Sequence, residues 1–205
     1  LSKIEDSIAN LEPDIKMLPA IVRKLYLEDA ELPHPYDLLS ERFGSRSQNE
    51  EDGLLLALYK RIGTTNRRCV AIGSGLNGGN SGCLVGECGW SGLMVDADRH
   101  KIETIRTRFA GHAITAVKHR ITREDLNSLL TNYGFAGEVD FLSIDIDGND
   151  YWVWEAITHV QPAIVVCEYN SIFGSRLAVT VPYQAEFDRT RAHHSLIRTE
   201  GRGEF

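Results

Sequence analysis

The chain has 205 residues, 42% of them hydrophobic, enough for one globular domain with a real core and a small appendage but cramped for two. A net charge of −7 and a pI near 5.5 argue against a nucleic-acid footprint, which needs clustered Lys and Arg to neutralise phosphates. No apolar run approaches the roughly 20 residues that span a bilayer, the opening Leu1-Ser2-Lys3-Ile4-Glu5 lacks a signal-peptide core, and the four cysteines show no CxxC spacing, so a reducing cytoplasm without membrane or zinc is expected.

Ser2 followed by Glu5 forms a capping box, and Ile4, Ile8 and Leu11 continue at helical spacing until Pro13. A second amphipathic stretch carries Ile15, Leu18, Ile21, Val22 and Leu25, with Pro19 marking a kink or a fresh start. Pro33 and Pro35 then enforce an extended connection. Residues 1–45 therefore read as an N-terminal helical extension, serving as a cleft cover, a contact in a homo-oligomer or a plain stabilising lid, ahead of one domain over 46–205.

From Asn49, the acidic run Glu50-Glu51-Asp52 followed by Leu54, Leu55, Leu58 and Ile62 predicts a helix with acids in its first turn and Gly63 at its end. Ser47 and Gln48 just before it either cap that helix or reach toward a ligand. The basic run Asn66-Arg67-Arg68 reads as a solvated strand entrance. Apolar runs at 69–72, 92–95, 113–117, 139–144 and 163–167 recur at a βα rhythm, with helical periods between them at Ile102, Ile105 and Phe109, then Leu126, Leu129 and Leu130. Five strands alternating with helices predict an α/β fold, a doubly wound, mostly parallel sheet of Rossmann-like type. After Tyr169 the periodicity fades, with one weak strand-like run at 177–181.

Two segments carry chemistry. Val70-Ala71-Ile72-Gly73-Ser74-Gly75-Leu76-Asn77-Gly78 is a strand turning into a glycine loop that admits a nucleotide, and Asp96 closes the next strand, where a carboxylate can accept hydrogen bonds from both hydroxyls of a ribose. Gly73-x-Gly75-x-x-Gly78 matches the dinucleotide fingerprint literally. However, Gly79, Gly82, Gly86 and Gly89 each weaken the following helix by roughly 1 kcal/mol relative to Ala, which undermines a pyrophosphate site. A cofactor with one ribose, S-adenosylmethionine, is favoured. The second segment, 139–155, places Asp145, Asp147 and Asp150 at a strand end, where open α/β sheets bind ligands. The alternative for Asp150 is a capping role, while the Asp145/Asp147 pair repels itself unless a cation or donor lies between.

On these residues, together with Ser47-Gln48-Asn49-Glu50-Glu51-Asp52-Gly53, Gly89-Trp90-Ser91-Gly92-Leu93-Met94-Val95-Asp96 and Glu168-Tyr169-Asn170, the chain resembles class I S-adenosylmethionine-dependent methyltransferases, and most closely the FkbM-like O-methyltransferases of sugars and polyketides. The resemblance implies that Gly73 and Gly75 pass along the methionine part of the cofactor, that Asp96 holds the ribose and that Asp145 lies near the transferred methyl. Ser47, Gln48, Ser74, Asn80 and Ala97 join the expected cofactor contacts. The chain departs from the group at Ala71 and Leu76, where acids usually help to grip the cofactor's amino group.

Methyl transfer from a sulfonium is an in-line displacement, so the protein mainly aligns donor and acceptor and removes a proton from the acceptor hydroxyl. Two routes to that proton are open. A magnesium or calcium ion could bridge Asp145 or Asp147 with Glu168 and Asn170, hard oxygen ligands at adjacent strand ends, with a spacing that resembles metal-dependent macrolide-sugar O-methyltransferases. Alternatively, His119, just after the third predicted strand, could act as base, the other histidines being surface or core residues. Trp152 and Trp154 are expected in the core. The expected function is methylation of a hydroxyl on a small-molecule or carbohydrate acceptor. The alternatives are an NAD(P)-dependent oxidoreductase and a non-catalytic binding protein of the same fold.

Overall fold

The computed structural model describes residues 38–170 and 178–189. The two helices expected before residue 26 lie outside the described residues, so the N-terminal extension is represented only by a short 3-10 turn, Leu38–Glu41, and the strand-free stretch after it.

Helix α1, Glu51–Ile62, begins where acids suit the positive end of the helix dipole and ends at Gly63, whose φ of 77° lets its N–H return to the Tyr59 carbonyl at 2.8 Å. Strand β1, Arg68–Ile72, runs into the glycine loop, a 3-10 turn at Gly79–Ser81 and the five-residue helix α2, Gly82–Gly86. Strand β2, Ser91–Asp96, leads to helix α3, Arg99–Arg108, capped by Asp98, whose carboxylate accepts from the N–H of His100 at 2.7 Å and of Lys101 at 3.3 Å. Strand β3, Ile114–Lys118, helix α4, Leu126–Asn132, strand β4, Gly137–Ile144, helix α5, Asp150–Glu155, and strand β5, Val160–Cys167, follow.

The five strands form one parallel sheet in the order β3-β2-β1-β4-β5, the doubly wound α/β arrangement expected from the βα rhythm. Each strand faces two ways. Val70, Ile72, Leu93, Val95, Leu142 and Ile144 bury one face against α4 and α5, while Cys69, Met94 and Phe141 bury the other against α1, α2 and α3. The register places Ile72 opposite both Val95 and Ile144, and Ile144 opposite Cys167. Four strands therefore end level, and the residues that follow them emerge side by side along one edge. The order reverses at β1, which opens a crevice at that edge where ligands bind in sheets of this kind.

Two expectations are corrected. The strand-like run at 177–181 is not a strand over its described part, 178–181, because those residues find no ladder partner in the sheet. Trp152 and Trp154 are not core residues: Trp154 is 48% exposed and Trp152 is half-buried, because the six-residue α5 turns only Asp150 and Val153 fully inward.

Candidate functional site

A cavity of about 220 Å³ lies beyond the ends of β1, β2, β3 and β4, and its walls include Gly73, Asp96, Ala97, His119, Asp145 and Asp147. Six residues singled out from sequence thus meet around one hollow. Gln48 is exposed away from it, and Ser47, Ser74, Gly75 and Asn80 do not line it.

Asp96, only 6% exposed, ends β2. One carboxylate oxygen accepts the Gly75 N–H at 3.1 Å, with the Lys101 ammonium 3.5 Å away, and the other accepts the Asp98 N–H at 2.9 Å. The glycine loop is thereby stapled to the acid. A carboxylate has about four lone-pair sites, so acceptor capacity remains toward the cavity.

The loop glycines serve the chain's own backbone first. Gly73 has φ 79°, and a Cβ there would lie 1.7 Å from the Asp145 carbonyl oxygen, so only glycine lets the β1 loop rest on the end of β4. The N–H groups of Gly73 and Ser74 both donate to the Val95 carbonyl, at 2.9 and 3.1 Å. Ser74 is fully buried with its hydroxyl 3.4 Å from the same carbonyl, and Asn80 sits half-buried in the 3-10 turn. Ser47 acts on α1, its hydroxyl accepting the Asp52 N–H at 3.1 Å.

Asp145, Asp147 and Glu168 present carboxylate oxygens within 4.8 Å of one another. Asp147 has φ 59°, a left-handed conformation that Asp tolerates better than most residues, and Arg189 donates a hydrogen bond to its carboxylate. The turn is set by Asp150, which is fully buried and accepts the Ile146 N–H at 2.7 Å and the Gly148 N–H at 2.8 Å. Asn170 follows two residues after Glu168 and is half-buried.

The crowding of acids has electrostatic consequences. Desolvation, then repulsion from Asp145, Asp147 and Asp150, pushes the Glu168 carboxyl up to about 8. Desolvation followed by the Asp147 charge raises Asp145, and burial lifts Asp150 to about 6 against the pull of its backbone donors. At neutral pH the cluster therefore holds a proton centred on Glu168, shared with Asp145 through their hydrogen bond.

His119 places Nε2 2.7 Å from an Asp125 carboxylate oxygen, whose other oxygen accepts the Thr122 N–H at 2.9 Å. Although burial works to raise it, the donors Thr122 and His119 hold the Asp125 carboxyl below the usual carboxylate range. A carboxylate can only accept, so Nε2 donates in that contact, which makes Nδ1 the acceptor whenever the ring holds a single proton.

Lys101, Asp125, Phe187 and Arg189 belong to the site and were not found from sequence. Asp125 follows His119 by six residues and Lys101 follows Asp96 by five, spacings that mean nothing until the loops after β2 and β3 are closed. Arg189 reaches Asp147 across 42 positions of sequence, beyond any local signal.

The cleft thus joins a glycine loop, a strand-end acid and a carboxylate cluster at the point where the strand order reverses. No family model, curated protein or solved structure matches the chain.

Proposed function

We propose that the protein is an S-adenosylmethionine-dependent O-methyltransferase acting on a hydroxyl of a sugar or of a glycosylated or polyketide metabolite. The observation that carries the reading is Asp96. It is nearly buried at the end of β2, tied to the glycine loop by the Gly75 N–H, and shares one cavity with Asp145 and His119. An acid so placed suits paired ribose hydroxyls. The five-residue α2, entered through a 3-10 turn, is a poor seat for the pyrophosphate of a dinucleotide, which disfavours the oxidoreductase alternative.

When bound, S-adenosylmethionine supplies a methyl group on a sulfonium. The chain's own residues do the rest. Asp96 would orient the ribose, and His119, held by Asp125, would take the proton from the acceptor hydroxyl at Nδ1. Magnesium fits the hard oxygen set of Asp145, Asp147 and Glu168, with Asn170 as a further ligand, and would act there as a Lewis acid that helps the hydroxyl ionise.

Calorimetric titration tests the reading. Micromolar binding of S-adenosylhomocysteine with none of NADH is expected, and Asp96→Ala should weaken it by about ten- to a hundredfold, the effect of losing a hydrogen bond to a charged group. Tight NADH binding would reverse the order of the two enzyme readings, and binding of neither would favour a non-catalytic protein. Magnesium in place of a chelator should change affinity or turnover; no response to either would remove the ion from the account.

A further inference from the structure

Residues 181–189 bridge the two loops that flank the cleft, and Ala185 and Phe187 of this segment line the cavity. From the α5 side, the Trp152 indole N–H donates to the Val181 carbonyl and the Asn149 amide to the Gln184 carbonyl, both at 2.7 Å. From the loop after β3, Arg120 donates to the Phe187 carbonyl at 3.3 Å, and the Arg123 guanidinium lies 4.0 Å from the centre of the Tyr183 ring. The far end reaches the acid cluster. Phe187 packs onto Gly148, where an added Cβ would come within 2.2 Å of the ring, and Arg189 pairs with Asp147.

The two ends of this segment are held differently. Val181 is 3% exposed and its carbonyl receives a half-buried indole, so that end is anchored. The Arg189 and Asp147 side chains are 53% and 39% exposed, and the ion pair from Arg120 to Glu186 is also solvated. Exposed pairs of this kind hold weakly. Beneath the segment the cavity measures about 220 Å³, whereas sites that enclose a whole drug-sized ligand run from about 300 to 1,000 Å³. A ligand carrying a base, a ribose and an amino-acid tail needs more room than this cavity encloses.

We propose that residues 185–189 are a lid, anchored at Val181 and Gln184 and latched by Arg189 on Asp147, which lifts to admit the ligand. The identity of that ligand rests on the methyltransferase reading; the lid does not. A thiol placed at Ile121, a cavity-lining position only 6% exposed, reports opening without reference to any ligand. Ile121→Cys would be labelled with a small methanethiosulfonate, against the parent chain as the background for the native cysteines, of which Cys69, Cys83 and Cys88 are buried. Adding Arg189→Ala should speed labelling by about fivefold, the upper end for loss of an exposed ion pair, and Arg189→Lys should restore most of the slow rate. Phe187→Ala, which opens the same wall without touching the latch, should also speed it. Each variant would be checked by circular dichroism for an unchanged fold. Labelling that is unchanged or slower in Arg189→Ala overturns the proposal. In a separate titration, S-adenosylhomocysteine should bind Arg189→Ala up to about fivefold more tightly than the parent, and weaker binding would make Arg189 a ligand contact and overturn the latch. If neither protein bound S-adenosylhomocysteine while labelling still accelerated, the lid would stand and the cofactor reading alone would fall.

Discussion

The acids of this chain divide by what their oxygens accept. Asp52 takes the N–H groups of Ser45, Arg46 and Ser47, Asp140 those of Thr65, Asn66 and Arg67, and Asp150 those of Ile146 and Gly148, so each of these buried carboxylates shapes a loop. Among the described residues, Asp145, Asp147 and Glu168 instead meet one another, with Lys101 and Arg189 as the nearby cations. The strain of that arrangement is measurable. Glu168 ionises at about 8 in the folded protein and near 4.5 in the unfolded chain, so the folded state keeps a proton that the unfolded chain releases. Stability should therefore fall as pH rises from about 4.5 to about 8, and urea denaturation of Glu168→Gln should show that decline reduced to the part that Asp150, below about 6, and the raised Asp145 carboxyl supply. An unaltered profile in Glu168→Gln would remove Glu168 as the proton's holder. Gly73→Ala is the second test at this scale, expected to lose at least about 2 kcal/mol in the same assay through a left-handed φ and an overlap with the Asp145 carbonyl. Sequence pointed to Asp96, Asp145, Asp147 and His119 because strand ends in this fold face a crevice, but it could not tell which acids line the cavity and which only bind backbone. Both kinds are Asp, and only the closed loops distinguish them.

At the level of elements, Asp140 shows how a strand also builds its neighbour's entrance. It lies in β4, and one carboxylate fixes the turn into β1, where Arg67 adopts a φ of 53°, while the Tyr59 hydroxyl of α1 donates to its carbonyl at 2.6 Å. Asp140→Ala leaves three backbone N–H groups without their acceptor and should cost about 3 kcal/mol or more, read as a fall in the denaturant midpoint. A loss below about 1 kcal/mol would mean that water replaces the carboxylate. The strands themselves were legible, since their apolar runs were found to within a few residues. β5 began earlier than its run because Gln161 and Pro162 interrupt the pattern, and Pro162 is tolerated on this edge strand, where one side of its backbone needs no partner. The roles of Trp152 and Trp154 were misjudged because burial was inferred from residue type, whereas a six-residue helix has room for few inward positions.

Across the whole molecule, the order β3-β2-β1-β4-β5 turns separate motifs into one site, bringing residues 73, 96, 119 and 145 from four loops to one edge. No helix among the described residues is long and apolar enough to cross a membrane. The parallel, doubly wound sheet followed from the βα rhythm, but its strand order and the segment over the cleft did not, because 178–189 has no periodicity and is placed by carbonyls that accept from Trp152, Asn149 and Arg120. The most direct test of the account is a crystal structure with S-adenosylhomocysteine bound. The account predicts ribose hydroxyls within hydrogen-bond distance of Asp96, the sulfur facing Asp145, and residues 185–189 displaced from the cleft. Density for the ligand elsewhere on the molecule, or a cleft still closed by Phe187 at saturating ligand, would contradict it.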